Sequence, residues 1–143
     1  MSNLTQRPDF KAKYDNYIGG KFVAPINGNY FDVVSPIDGK VFTQAAHSSK
    51  EDLELAVDSA HKAFETWGKT SVTERSILLN KIAQVLEDNL AYLAAVEAVD
   101  NGKPIRETTY ADMPLAIDHF RYFAGVIRAE ESTIAELDAN TVS

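Results

Sequence analysis

The stretch Lys40–Trp67, KVFTQAAHSSKEDLELAVDSAHKAFETW, decides the fold, because the period of its apolar residues changes inside it. Lys40-Val41-Phe42-Thr43 is a short β-prone run. From Ser48 onward, Leu53, Ala56, Val57, Ala60, Phe64 and Trp67 recur at the 3.6-residue spacing of one helix face. Lys50, Glu54, Asp58, Lys62 and Glu65 fall on the other faces. Ser48 with Glu51 reads as a capping box and Gly68 as the stop. Strands before this point and helices after it define a mixed α/β chain.

Working back toward the N-terminus, Ser35-Pro36-Ile37-Asp38-Gly39 separates Lys40–Thr43 from Tyr30–Val34. Pro36 and Asp38-Gly39 are turn chemistry, so these two runs read as paired strands. Asn27-Gly28-Asn29 marks another turn. Gly19-Gly20 lies between Tyr17-Ile18 and Lys21–Val23, a two-residue hairpin whose glycines both accept positive φ. Residues 1–14 are polar and irregular and read as a mobile N-terminus.

Working forward, Ser71 with Glu74 is a second capping box. Leu78, Ile82, Val85, Leu86, Leu90, Leu93 and Val96 form a long apolar stripe behind it. A bend is expected at Glu87-Asp88-Asn89, with Asn89 capping the second segment, and Asn101-Gly102 followed by Pro104 stops the run. A third helical region spans Ile105 to about Glu130. Pro114 lies inside it, so a new helix is expected near Asp112 with the proline in its first turn. Ala116, Phe120, Phe123, Ala124 and Ile127 form its expected buried stripe, joined by Tyr122. The organisation is therefore 1–14 N-terminus, 15–131 main unit (strands 15–46, helices 48–130) and 132–143 an extended tail.

The chain has 143 residues and a formal net charge of −7. The acidity is uneven: eight basic and nine acidic residues in 1–70, six and twelve in 71–143. Such a chain is a poor partner for phosphate, so neither nucleic acid nor an anionic membrane is expected to bind it. There is no cysteine, which removes disulfides, thiolate nucleophiles and thiolate metal sites. Met1–Tyr14 has no apolar run to serve as a signal peptide, and Leu90–Val96 is far shorter than the ~20 residues of a membrane span. A cytoplasmic location is the expectation.

Few residues offer chemistry. His47, His61 and His119 show no metal-ligand spacing, and His61 with Glu65 makes at most a surface pair. Ser48 and Ser71 are accounted for as caps, and no G-x-S-x-G elbow occurs. Gly19-Gly20 lacks dinucleotide-binding spacing and precedes a strand. Glu97 and Asp100 are the exception. They lie one turn apart at a helix C-terminus, where carboxylates oppose the dipole. Either they are a solvated helix end or they face a partner, a cation or a donor from another strand.

The ordered set of signals resembles one family. Tyr17–Val23 (YIGGKFV), Ser35-Pro36 with Asp38-Gly39-Lys40, Phe64–Trp67 (FETW), Glu74-Arg75, Asp100–Pro104 (DNGKP) and Ile117–Gly125 (IDHFRYFAG) resemble the N-terminal part of the NAD(P)-dependent aldehyde dehydrogenase superfamily. Pro114–Gly125 and the tail Asp138–Ser143 look most like its bacterial acetaldehyde dehydrogenase branch. Ser35-Pro36 stands where the family typically has Asn-Pro.

The resemblance implies a Rossmann-like cofactor domain. This chain would supply its first strands and outer helices, and 132–143 would begin an oligomerisation arm. It implies NAD as cofactor of the longer family chain. The thiolate nucleophile, the glutamate base, the oxyanion asparagine and the cofactor-binding residues lie downstream of the matched segment. No catalytic or cofactor-binding residue is therefore carried onto this chain, and by itself it is expected to be inactive and to bind NAD weakly at most. One family site does carry over, a Na⁺ or K⁺ ion held by Asp100 and the carbonyl of Val33, with Val34 as a further candidate. The alternative expectation is a non-enzymatic module that self-associates or pairs with full-length subunits.

Overall fold

The computed structural model describes residues 7–129, 136–138 and 141–142. The elements are β1 (Lys13–Tyr14), β2 (Asn16–Ile18), β3 (Lys21–Val23), β4 (Tyr30–Val34), β5 (Val41–Ala46), α1 (Lys50–Trp67), α2 (Val72–Asp88), α3 (Leu90–Asn101) and α4 (Ile105–Glu107). A π-helical turn, Thr108–Asp112, leads into α5 (Met113–Ala129), and β6 (Glu136–Asp138) and β7 (Thr141–Val142) follow. The expected change from short strands to helices is what the structure shows.

Both predicted hairpins form. β2 and β3 pair antiparallel with Tyr17 opposite Phe22, and Gly19 and Gly20 adopt φ of 61° and 81°. A side chain there would be strained, so the glycine pair fixes this register. β4 and β5 pair antiparallel, with a bulge between Val33 and Val34. The N-terminal segment departs from the expectation of a mobile 1–14. Lys13 and Tyr14 pair in parallel with Gln44 and Ala45, giving a three-stranded sheet in the order β1-β5-β4. The buried Thr43 hydroxyl donates to the Lys11 carbonyl at 2.7 Å, and Phe10 meets the Phe42 ring edge-on at 4.6 Å between centroids. A two-residue strand carries no periodicity of its own, which is why the polar stretch concealed it.

Helix ends follow side-chain chemistry with two corrections. The α1 cap is Ser49 with Asp52, one residue beyond the expected Ser48 and Glu51. Ser48 instead donates to Asn16 Oδ1 of β2 at 2.7 Å. The shift brings Asp52, rather than Glu51, within reach of the Ile26 amide. The Ser71–Glu74 box of α2 forms as expected. The helix does break at Asn89, but the Asn89 amide donates back to the Val85 carbonyl at 2.8 Å, closing α2 instead of capping α3. Gly102 ends α3 at φ 78°. Pro114 falls in the first turn of α5, as expected, with the π turn keeping the backbone helical up to it.

Small residues and buried hydroxyls hold the helices together. The apolar core is Ala83, Ala94, Ala98, Val99, Ile117 and Ala124, four of them alanines. α2 and α5 make the most extensive contact between elements, and the buried Ser76 hydroxyl donates across it to the Ala124 carbonyl at 2.7 Å. Thr108 likewise donates to the Ala94 carbonyl at 2.9 Å. Alanine lets the helix axes approach closely enough for a short hydroxyl to bridge them. The expected buried stripe of α5 is only partly right. Of that stripe only Ala124 is buried; Ala116, Phe120 and Ile127 are half-buried and Phe123 and Tyr122 exposed, while Ile117, outside the expected stripe, is buried. The apolar face of α1 is also open: Asp52 is the only buried side chain on that helix.

Candidate functional site

Two motifs far apart in sequence meet at the C-terminal end of α3. The β4–β5 turn carries Ser35, which is 1% exposed and donates to the Val99 carbonyl at 2.6 Å. Next to it Pro36 packs against Gly102 so closely that a Cβ on the glycine would lie 2.8 Å from Pro36 Cγ. Ser35-Pro36 and Asn101-Gly102 are thus two halves of one joint. Ser35 supplies this joint's side-chain donor through its hydroxyl.

Val33 and Asp100, the neighbours of this joint in sequence, line an open hollow of about 600 Å³ between the sheet and the helices. Its wall is largely apolar, with Phe10, Val33, Phe42, Leu93 and Val96 among the lining, and its polar margin carries Glu97 and Asp100. Val33 and Asp100, named from sequence, therefore border the same space. Val34 is not part of the lining and is 49% exposed. The bulge at Val33/Val34 interrupts the ladder beside the Val33 carbonyl, the local device by which a strand re-aims a group.

The two carboxylates differ. Asp100 is exposed, as a solvated helix end would be. Glu97 is half-buried: its Oε1 accepts from the Asn101 amide at 3.3 Å, while its Oε2 is buried without a hydrogen-bond partner. An orphaned carboxylate oxygen is costly, so Glu97 is the group that calls for a cation or donor. A carbonyl, carboxylates and the negative end of a helix suit a monovalent cation. Among the described residues no three His, Cys, Asp or Glu cluster as a multidentate metal site.

Pyrophosphate needs open backbone N–H groups at a helix start. The N-termini of α1 and α2 are closed by their own Asp52 and Glu74 carboxylates, and the cavity margin is acidic. His47 lies edge-on to Phe31, and His61 makes no ion pair with Glu65 among the described residues. No described helix is long and apolar enough to cross a membrane.

Sequence reading missed the Ser35 hydroxyl as the long-range donor to Val99 beside this site, and Ser76 and Thr108 as bridges between helices. The signal of the two bridges, a small hydroxyl residue with alanine on the facing helix, is visible only once the facing helix is known.

The fold defines the class first. A strand layer followed by this helix order is shared with Rossmann-like dehydrogenases of known structure, one of them solved with NAD⁺. PnpE from a Pseudomonas species, solved with nicotinamide adenine dinucleotide, superposes with a TM-score of 0.83 at 37% identity, over 88% of this chain and 26% of that one. The chain belongs to the aldehyde dehydrogenase family, whose family model matches residues 22–143. An aldehyde dehydrogenase of Deinococcus radiodurans is 62% identical over 134 residues, covering 94% of this chain and 26% of the relative. Acetaldehyde dehydrogenase 2 of Cupriavidus necator is 54% identical over the same length and share. The chain spans about a quarter of the curated relatives it matches.

Proposed function

We propose that these 143 residues are the N-terminal quarter of an NAD-dependent aldehyde dehydrogenase that oxidises short aliphatic aldehydes to carboxylic acids, and that they are inactive without the rest. The observation that carries this reading is the 62% identity to an aldehyde dehydrogenase of which the match covers 26%, in a chain with no cysteine. The short substrate rests on the resemblance of Pro114–Gly125 to the acetaldehyde branch; relatives named acetaldehyde dehydrogenase and long-chain-aldehyde dehydrogenase are 54% and 60% identical. Oxidation of the aldehyde by NAD⁺ and water gives acid and NADH. It needs a thiolate nucleophile, which this sequence cannot supply.

The role of the segment is structural. The Ser35–Val99 joint holds Val33 and Asp100 at one cavity margin, where a Na⁺ or K⁺ ion would be held by the Val33 carbonyl and Asp100, with Glu97 as a further carboxylate. The β6–β7 hairpin is the start of the arm through which subunits associate. The partners are protein subunits, not nucleic acid or membrane, and the compartment is the cytoplasm. The second reading, a module that pairs with full-length subunits without catalysing anything, is favoured by the open apolar face of α1.

The test is direct. Purified chain with acetaldehyde and NAD⁺ is expected to yield no NADH above buffer. Turnover whose rate survives further purification to homogeneity would overturn the proposal.

A further inference from the structure

The dipeptide Asn-Gly occurs twice in the chain, at Asn27-Gly28 and Asn101-Gly102. It is the most labile asparagine context in a polypeptide, because glycine has no Cβ to keep its nitrogen away from the preceding side chain. The glycine nitrogen attacks the asparagine Cγ and an N–Cγ bond forms. The Cγ–Nδ2 bond breaks, and Nδ2 leaves as ammonia with the glycine amide proton. Water then opens the five-membered succinimide at either carbonyl, giving aspartate or isoaspartate. No oxidant or cofactor takes part. The glycine N–H must first leave its hydrogen bond and the asparagine amide must turn toward it, so the local fold sets the rate.

The two sites are held differently. The Gly102 N–H closes the last turn of α3 on the Ala98 carbonyl at 3.0 Å, beside the buried Ala98 and Val99. Both ends of the Asn101 amide are engaged: Oδ1 accepts from the Lys103 backbone N–H at 2.8 Å and Nδ2 donates to Glu97 Oε1 at 3.3 Å. Pro36 packs on Gly102 from outside the helix. Asn27 instead lies in the turn between β3 and β4, where the Gly28 N–H donates to the Pro25 carbonyl at 2.8 Å. Its side chain is exposed and has no hydrogen-bond partner among the described residues. Nothing lies within 4 Å of where a Gly28 Cβ would stand. An exposed turn held by one bond opens at little free-energy cost, whereas a helix end packed against a second element opens only together with its neighbours.

We infer that Asn27 is a site of spontaneous deamidation and that the tertiary structure shields Asn101 from the same reaction. The consequence reaches α1. The adjacent Ile26 amide donates to Asp52 Oδ1 at 3.0 Å, tying this turn to the N-terminus of that helix. Isoaspartate routes the backbone through an extra methylene at residue 27, and either product places a new carboxylate one residue from the tie. Deamidation therefore loosens the hold on α1. The inference is independent of the proposed function, because the reaction involves only water and the chain itself.

The test is storage of the folded chain in mildly alkaline buffer at physiological temperature. Peptide mapping by mass spectrometry follows the one-dalton gain at each asparagine, and enzymatic methylation detects isoaspartate. Asn27 is expected to convert about tenfold faster than Asn101, or more. In concentrated urea, where only the shared dipeptide remains, the two rates should converge. Comparable rates in the folded chain, or a ratio that persists in urea, would overturn the inference. Melting of the stored chain is the second readout. It should fall by about 2 °C or more as Asn27 converts. Stored Asn27→Gln, whose longer side chain cyclises far more slowly, should melt as it did when fresh. Equal losses in chain and variant, or full conversion with no loss, would refute the coupling to Asp52.

Discussion

The Ser35 hydroxyl donates to the Val99 carbonyl at 2.6 Å, joining residues 64 apart in sequence inside a fully buried contact. It fastens the β4–β5 turn to the end of α3 and so sets the spacing between Val33 and Asp100. Removing it leaves a buried carbonyl without its donor. Ser35→Ala is expected to cost about 1–3 kcal/mol in urea unfolding. A cost indistinguishable from zero would show that the joint is held by Pro36 packing alone.

Gly102 and Gly20 separate two effects of glycine. Both have positive φ, 78° and 81°, but a Cβ at Gly20 meets nothing within 4 Å while one at Gly102 meets Pro36 at 2.8 Å. Gly20→Ala is expected to cost about 1–2 kcal/mol, the left-handed penalty. Gly102→Ala should cost visibly more, because the Pro36 ring must also move. Parallel thermal unfolding of the two variants decides this, and equal costs would mean the joint yields freely.

Asp52 gives the fold an acid-sensitive tie. Backbone N–H groups of Ser49 and then Ile26 hold its carboxyl below the usual carboxylate range. A depressed folded-state value means the stabilisation is present above the unfolded value, about 4, and is lost as pH falls through the folded value. Stability should therefore be flat from neutral pH down to about 5 and decline below about 4. Asp52→Asn should flatten that decline. An unchanged acid limb in the variant would assign the loss to other carboxylates.

Phe123 and Ile117 lie on the same helix with opposite burial. Phe123 is 54% exposed and Ile117 4%. Phe123→Asp is expected to change the stability of this chain by about 0.5 kcal/mol or less, and Ile117→Asp by several kcal/mol. Reversal of that order would place the core on the other side of α5.

The proposed cation site predicts ion-specific stabilisation. Replacing choline chloride with KCl or NaCl at constant ionic strength should raise the melting point of the chain, and Asp100→Asn should abolish the difference. Identical melting in all three salts would reject the site in this chain.

Periodicity alone settled the succession of short strands and amphipathic helices, because residue spacing is a local property. Gly19-Gly20, Ser71–Glu74 and Asn101-Gly102 read correctly for the same reason: turns and caps are made within a few residues. The family was legible too, through ordered motifs. Val33 and Asp100 were named from that resemblance, and the structure places both at one cavity margin. Where local signals compete, the sequence misled. Ser48 and Ser49 are both good caps, and contact with Asn16 and Ile26, some twenty to thirty residues away, selects Ser49. Asn89 can cap either helix and takes the one whose Val85 carbonyl is in reach. β1 exists only because β5 lies beside it. Tertiary structure decided which apolar stripes are covered. Hydrophobic spacing shows that a face seeks a neighbour, but burial depends on which neighbour arrives, and for Phe123 and the face of α1 none of the described residues does.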